Sequence, residues 1–171
     1  HKLPLRKLDP EGFDVIDFHN GRYKLANGHD RYRETLLQHF PGEKGGLDQY
    51  LKRIQDTCLS NPFYTLSDKP FNIFENGAMS IGAVDFIQSV IADPRLQNVV
   101  AGNNLMYAGH RKKTSLFVHA FISHSFIQSA WRIPDGSHQL VDLLAGHIRG
   151  NGGTILKNAK VNRFIGRSNR I

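Results

Sequence analysis

The stretch that decides the fold runs from residue 131 to residue 165 and reads WRIPDGSHQLVDLLAGHIRGNGGTILKNAKVNRFI. Apolar residues recur at helical spacing from 137 to 149, and the glycines that begin at Gly150 are typical of a helix C-terminus. Residues 154–156 and 161–165 contain β-forming side chains, so we predict a short strand in each. The stretch is therefore predicted to form a loop, a helix and a pair of strands.

The glycines of this stretch do not make a dinucleotide-binding fingerprint. Gly150 and Gly152 fit the first two positions of Gly-x-Gly-x-x-Gly, but Ile155 stands where the third glycine belongs. The segment also follows a helix and precedes a strand, which is the reverse of the order that the fingerprint requires. We therefore interpret the helix and strands as a unit that packs on a sheet, with its apolar side chains at Leu140, Leu143, Leu144, Ile148 and Val161.

Upstream of this unit, the sequence predicts a β-hairpin over residues 12–25, with its turn at Asn20-Gly21. Asp30 is predicted to cap a helix that contains Tyr32, Leu36 and Phe40. The helices predicted after it are an amphipathic helix over 47–58, a helix over 83–92, another that starts at the pair Asp93-Pro94, and an apolar helix over 115–131. The pattern thus favours a mostly helical α+β protein.

Charge and hydropathy limit the classes of function. The 171 residues carry a net charge of +7, and 40% of them are hydrophobic. No apolar run approaches the roughly 20 residues of a membrane-spanning helix, and the first residues lack a signal-peptide core. We therefore expect a cytoplasmic protein, with peripheral membrane contact left open. The basic residues lie in dispersed clusters, so no specific nucleic-acid binding is expected, although a nucleic-acid binder remains a rival interpretation.

Residue types that often catalyse reactions or bind metals do not form familiar motifs. His119 and His124 are five residues apart, which places them on different helix faces, so we predict core or surface histidines and no metal site. Ser137 lacks the Gly-x-Ser-x-Gly elbow of a hydrolase nucleophile. Cys58 is the single cysteine, and its position on the amphipathic helix predicts inert packing. No catalytic residue is identified from the sequence.

The unit from Pro134 onward resembles a known family. Pro134, Gly136 and Ser137, a Gln-Leu-x-Asp-x-Leu helix, Asn-Gly-Gly-x-Ile and a Val-x-x-x-Ile strand are similar to FAD-dependent oxidoreductases of the phytoene desaturase, carotenoid isomerase and retinol saturase type. The hairpin with the following Asp-Arg-Tyr-Arg-Glu, the Phe-Pro-Gly-Glu-Lys turn and the helix over 115–131 look similar too. The chain departs from the family at Asp135, where a glycine is usual.

This resemblance implies a domain organisation. Residues 1–134 would be a mostly helical substrate-binding (cap) domain with a β-hairpin, and residues 135–171 would supply a helix and strand pair to an FAD-binding domain. Because the chain lacks the family's N-terminal flavin fingerprint, the resemblance implies that FAD binds the full-length parent and not this segment alone. The strand that begins at Val161 would lie near the adenine end of FAD, with the Val161 backbone facing the base.

The family's substrates are polyenes, carotenoids or retinoids, which predicts an apolar substrate-binding surface here. We assign that surface to Phe117 and Phe121 on the apolar helix, together with Phe71 and Phe74 and with Phe63 nearby. The whole parent would then be a desaturase, saturase or isomerase, and this segment alone would be inactive. The alternative interpretation is a non-enzymatic helical module that binds a protein or lipid partner.

Overall fold

A computed structural model describes residues 3–19, 21–68 and 77–164 of the chain. The protein is α+β and is divided into two compact units. The larger unit is Lys7–Arg132, and the smaller unit combines His1–Arg6 with Ile133–Ile171. The boundary at the end of the larger unit lies next to Pro134. The roles of the two units as a cap domain and part of a flavin domain stay predictions.

The predicted hairpin is present in the larger unit. Strand β2 (Asp14–Phe18) pairs antiparallel with β3 (Gly21–Leu25), and Phe18 faces Gly21 in the register. Gly21 therefore begins the second strand, whereas the sequence pattern places it in the turn. A second two-stranded sheet joins β1 (Arg6–Lys7) to β4 (Trp131–Arg132). Both sheets are small, so helices build most of the core.

Among the described residues of the larger unit, six helices follow the hairpin. They are α1 (His29–His39), α2 (Lys44–Leu59), α3 (Pro62–Thr65), α4 (Ala83–Val90), α5 (Pro94–Val100) and α6 (Leu116–Gln128). Two 3-10 turns, Pro41–Glu43 and Gly102–Tyr107, connect neighbouring helices. Among the described helices, none is both long enough and apolar enough to cross a membrane.

Helix α2 lies at the centre of the core because it places apolar residues three and four positions apart on one face. Leu47, Tyr50, Ile54 and Cys58 on this face are fully buried, and α6 packs closely along them. Burial raises the pKa of the Cys58 thiol to about 12, which keeps the thiol protonated and unreactive at neutral pH. The amphipathic helix and its inert cysteine are thus as predicted.

Several helix ends differ from the sequence predictions. Helix α1 starts after Gly28, so Asp30 lies in its first turn and does not cap it. Helix α4 ends at Val90, two residues before the predicted end. Asp93 does cap α5 as predicted, because its carboxylate accepts a hydrogen bond from the Arg95 N–H at 2.7 Å. Glu43 also accepts hydrogen bonds from the backbone N–H groups of the Ala92–Asp93 connection before α5.

The apolar helix α6 is shorter than predicted. It begins after Ser115, whose hydroxyl accepts a hydrogen bond from the Val118 N–H, and it ends at Gln128. Ser129 takes extended backbone angles, and Trp131 belongs to a strand. The helix ends there because the chain turns into the β1–β4 pairing, a tertiary contact that the local sequence does not encode.

The smaller unit contains the predicted helix but not the predicted strands. Helix α7 (His138–Gly150) matches the predicted helix within one residue at each end. Residues 154–156 and 161–164 have no strand structure, so this part of the prediction is wrong, and Ile165 lies outside the described residues. A strand forms when its backbone groups pair with a neighbour, and the described residues 133–164 provide none.

Candidate functional site

Helix α6 carries two buried histidines on different faces, as their five-residue spacing predicted. His119 and His124 are both fully buried. Each ring makes its own set of hydrogen bonds, so the two do not converge on a common point. Within the residues that the structure describes, no three His, Cys, Asp or Glu side chains are placed to hold a metal ion.

His119 belongs to a hydrogen-bond chain with a defined direction. The Tyr107 hydroxyl donates to Asn104 Oδ1, and it lies 3.1 Å from His119 Nδ1. Because the single hydroxyl proton of Tyr107 is used on Asn104, His119 must donate through Nδ1–H, which leaves its Nε2 as an acceptor. Tyr50 then donates its hydroxyl proton to that Nε2 across 2.9 Å. These hydrogen bonds give both ring nitrogens of the buried His119 a partner.

His124 pairs with a second histidine from another helix. His124 Nδ1 lies 2.8 Å from Nε2 of His29, the first residue of α1. On the other side of the ring, the Gln128 side-chain Nε2 lies 3.2 Å from His124 Nε2. With the Gln128 amide in this orientation, His124 Nε2 accepts, so the His124 proton is on Nδ1 and is donated to His29. His29, when neutral, therefore carries its proton on Nδ1.

Burial keeps these histidines uncharged. It lowers the pKa of His119 to about 4, and it lowers the pKa of His124 to about 4 with a further contribution from the neighbouring His29. Burial also lowers the pKa of His29, with a smaller opposing effect from the carboxylate of Asp30. The site is therefore built from neutral imidazoles that donate and accept hydrogen bonds without a formal charge.

An aromatic surface lies beside the histidine pair, and we call its three residues Tyr64, Phe117 and Phe121 the aromatic shelf. The ring centroids of Phe117 and Phe121 are 4.5 Å apart, and those of Tyr64 and Phe121 are 5.1 Å apart. All three side chains are only partly buried. The Tyr64 ring also lies 5.5 Å from the His124 ring, so the shelf continues directly into the histidine pair.

Two exposed apolar side chains flank Tyr64 in the sequence. Phe63 is 81% exposed and Leu66 is 91% exposed, although both are large and hydrophobic. Asn61 starts the short helix α3 that carries Phe63 and Tyr64, since its side chain accepts a hydrogen bond from the Phe63 N–H. An accessible group of aromatic and aliphatic side chains of this kind favours contact with an apolar ligand or partner.

The structure brings together some of the predicted site residues and leaves others apart. Phe117 and Phe121 lie one helical turn apart and are in contact, whereas Phe71 and Phe74 lie outside the described residues. Val161 is 66% exposed in a segment without regular structure. The described residues 133–164 therefore do not by themselves form a cradle that fits FAD, because the strand expected to present the Val161 backbone is missing.

Sequence reasoning missed His29, Tyr64 and His124 as parts of one cluster. His29 and His124 are 95 positions apart, and no local pattern connects them. The one available signal was the polarity of His124 within an otherwise apolar helix, which indicates that a buried partner must exist. The partner itself is set by how α1 and α6 pack.

Comparisons with known proteins give a distant relationship. No protein-family model matches the chain, and no solved structure matches it. The chain is 21% identical over 160 residues to an all-trans-retinol 13,14-reductase of Danio rerio. The aligned part covers 84% of this chain but 26% of that protein, so the chain spans about a quarter of its relative's length. The chain thus has a weak similarity to one part of a retinol reductase, which suggests an oxidoreductase-related segment.

Proposed function

We propose that residues 7–132 are the substrate-binding part of an FAD-dependent oxidoreductase that acts on an apolar polyene such as a carotenoid or a retinoid. The observation that carries the proposal is the aromatic shelf, where Tyr64, Phe117 and Phe121 pack against one another and stay partly accessible. The weak similarity to a retinol reductase supports the same substrate class. Conjugated chains and aromatic rings are flat and apolar, so stacking and exclusion of water favour their association.

In this proposal, FAD is bound by parts of the parent protein other than the described residues of this chain. The flavin would supply the redox chemistry when bound, as it does in flavoproteins generally. The residues of this chain orient the substrate and exclude water from it. The shelf is suited to that role because its rings are fixed by contacts with each other and by the packing of α6 on α2.

A binding experiment with the 171-residue chain tests the shelf. All-trans-retinol becomes more fluorescent in an apolar site, so titration with the protein measures its affinity. Phe117→Asn and Phe121→Asn should each weaken binding about tenfold or more, because each replaces apolar contact area with a polar group. Val118→Asn on the same helix is the matched control, since Val118 is exposed and outside the shelf. Equal affinities for all four proteins would contradict the proposal.

The placement of FAD is tested separately. Flavin fluorescence is expected to stay unchanged when FAD is titrated with the 171-residue chain. Stoichiometric binding of FAD by this chain alone would contradict the assignment of the cofactor to other parts of the parent. The two titrations are independent, because the shelf lies in the larger unit and Val161 in the smaller one.

One observation favours the alternative of a helical module that binds a protein or lipid partner. Helix α7 buries none of its 13 residues, and its apolar side chains Leu140, Val141, Leu144 and Ile148 are all exposed. An isolated helix of this length is marginally stable in water, so this face is suited to pack against another surface. The alternative is supported over the oxidoreductase by two results together. The 171-residue chain would fail to bind retinol, and it would bind anionic lipid vesicles in a way that Leu144→Asp abolishes.

A further inference from the structure

We propose that His29, held in position by His124, binds the terminal oxygen of the polyene, a hydroxyl or a carbonyl, while the apolar chain lies on the aromatic shelf. This inference rests on the proposed function and assigns the polar end of the same site. It is carried by the continuity of the cluster, in which Phe117, Phe121, Tyr64, His124 and His29 follow one another through ring contacts of 4.5, 5.1, 5.5 and 4.9 Å.

The hydrogen-bond directions leave a donor at the end of this cluster. His124 is fully buried, and its two ring nitrogens are used on His29 and Gln128. His29 is partly exposed and accepts through Nε2, so its remaining ring proton is on Nδ1. An Nδ1–H group is a donor that pairs with a hydroxyl or carbonyl oxygen. His124 therefore acts as a positioning residue that fixes the tautomer of His29.

The groups around the pair favour a neutral oxygen. On α1 the charged neighbour of His29 is Asp30, on α3 the Tyr64 ring lies against His124, and on α6 the neighbour is the uncharged Gln128. Asp30 is in none of the ion pairs among the described residues; a cation that acts on it is Arg33, whose guanidinium is paired with Asp48. The carboxylate of an acidic ligand would lie against the neutral His29 ring and near the negative charge of Asp30, which is an unfavourable site for an anion. The expected ligand is thus an alcohol or an aldehyde.

The pair would also give the site selectivity for an oxygenated end. An apolar surface alone distinguishes ligands weakly, whereas a hydrogen-bonding group left without a partner rejects the analogue that lacks the matching atom. Tyr64 contributes to the same end of the shelf, since its ring centroid lies 5.5 Å from that of His124. The shelf sets affinity for the chain, and His29 distinguishes its end group.

The test compares three ligands that share one carbon skeleton, which are all-trans-retinol, the hydrocarbon that lacks its hydroxyl, and retinoic acid. Affinities are measured by fluorescence titration with the 171-residue chain at pH 7.5. Wild type should bind the alcohol about fivefold more tightly than the hydrocarbon, which corresponds to one ordinary hydrogen bond. It should bind the acid less tightly than the alcohol. This comparison within wild type needs no variant, so misfolding cannot affect it.

Two variants then assign the preference to a residue. His29→Ala should reduce the preference for the alcohol over the hydrocarbon to about one. The control is His19→Ala, which removes an exposed histidine from the hairpin and should keep the preference. Circular dichroism checks that both variants fold.

The possible outcomes separate this inference from the function on which it rests. If wild type binds none of the three ligands, the proposed function fails. If it binds alcohol and hydrocarbon equally, or if His29→Ala folds and keeps the preference, the proposed function stands and the role of the pair is overturned. Tighter binding of the acid than of the alcohol overturns the assignment of a neutral oxygen.

Discussion

His124 Nδ1 lies 2.8 Å from Nε2 of His29, although the two residues are 95 positions apart in the chain. The contact joins the first turn of α1 to the middle of α6. On another face of α6, His119 is joined to Tyr50 of α2, 69 positions away. Helix α6 is therefore held from two directions by hydrogen bonds between neutral groups.

Removing the Tyr50 hydroxyl should destabilise the core. Tyr50→Phe removes the 2.9 Å donor to the buried His119 Nε2 and leaves only the Ser123 hydroxyl, 3.5 Å away, so losing the shorter hydrogen bond should cost about 1 kcal/mol or more. The control is Tyr64→Phe, because the Tyr64 hydroxyl bonds at an exposed site and its loss should cost under about 0.5 kcal/mol. Urea unfolding at pH 7 measures both. Equal free energies of unfolding for the two variants would show that the Tyr50–His119 bond does not stabilise the fold.

The stability of the protein should fall in mild acid. The pKa of His119 is lowered from 6.5 to about 4 in the folded protein, so folding favours the neutral ring. The stability that the folded protein gains by keeping His119 neutral is complete above pH 6.5, and it is lost as the pH falls toward 4. By linkage, His119 alone should lower the free energy of unfolding by about 2 kcal/mol between pH 7 and pH 5.

Urea unfolding at the two pH values, together with NMR titration of the His119 ring, checks this pH dependence. A His119 ring that titrates near 6.5 in the folded protein, or a free energy of unfolding that is the same at both pH values, would be inconsistent with a buried neutral histidine.

Two adjacent glycines in the first turn of α2 should respond oppositely to the same substitution. A Cβ atom at Gly46 would overlap the backbone carbonyl of Val90 at the end of α4, whereas a Cβ at Gly45 would meet no atom within 4 Å. Gly46→Ala should therefore cost about 1–3 kcal/mol by pushing the helices apart. Gly45→Ala should stabilise the protein by up to about 1 kcal/mol through its helix propensity. Thermal unfolding distinguishes them, and a similar change in both variants would contradict the close approach of α2 to α4.

Two leucines on α2 test which face of that helix forms the core. Leu47 is fully buried, whereas Leu59 is 52% exposed. Leu47→Ala should cost about 2–5 kcal/mol, because it removes buried apolar area and leaves a cavity. Leu59→Ala should cost less than about 1 kcal/mol. Denaturant unfolding with both variants gives the comparison, and a larger loss at Leu59 would mean that the helix packs in another orientation.

Much of the larger unit was predictable from local patterns. The three- and four-residue spacing of Leu47, Tyr50, Ile54 and Cys58 predicted the face of α2 that is buried. Asp93 followed by Pro94 predicted the start of α5, because both residues favour the first positions of a helix. The hairpin followed from its β-forming residues and the turn signal at Asn20-Gly21. Each of these signals depends on residues close together in sequence.

The strands predicted at 154–156 and 161–165 show where local patterns fail. Their side chains favour β structure, but a strand forms only when another strand supplies its hydrogen bonds, and the described residues up to 164 show none. The end of α6 at Gln128 has a similar cause, since the pairing of β1 with β4 takes up the chain that follows.

The sequence by itself determined the longer helices, the hairpin and the buried face of α2, because these depend on side-chain periodicity and capping within a few residues, but it did not indicate the short helix α3. The one-turn spacing of Phe117 and Phe121 also places their rings in contact on α6, whereas their role in substrate binding stays a prediction. Only the tertiary structure decided that Tyr64 joins them and that His29 meets His124 at the end of that surface. Such contacts join distant segments through helix packing, and no spacing within the sequence encodes the distance between two ring nitrogens.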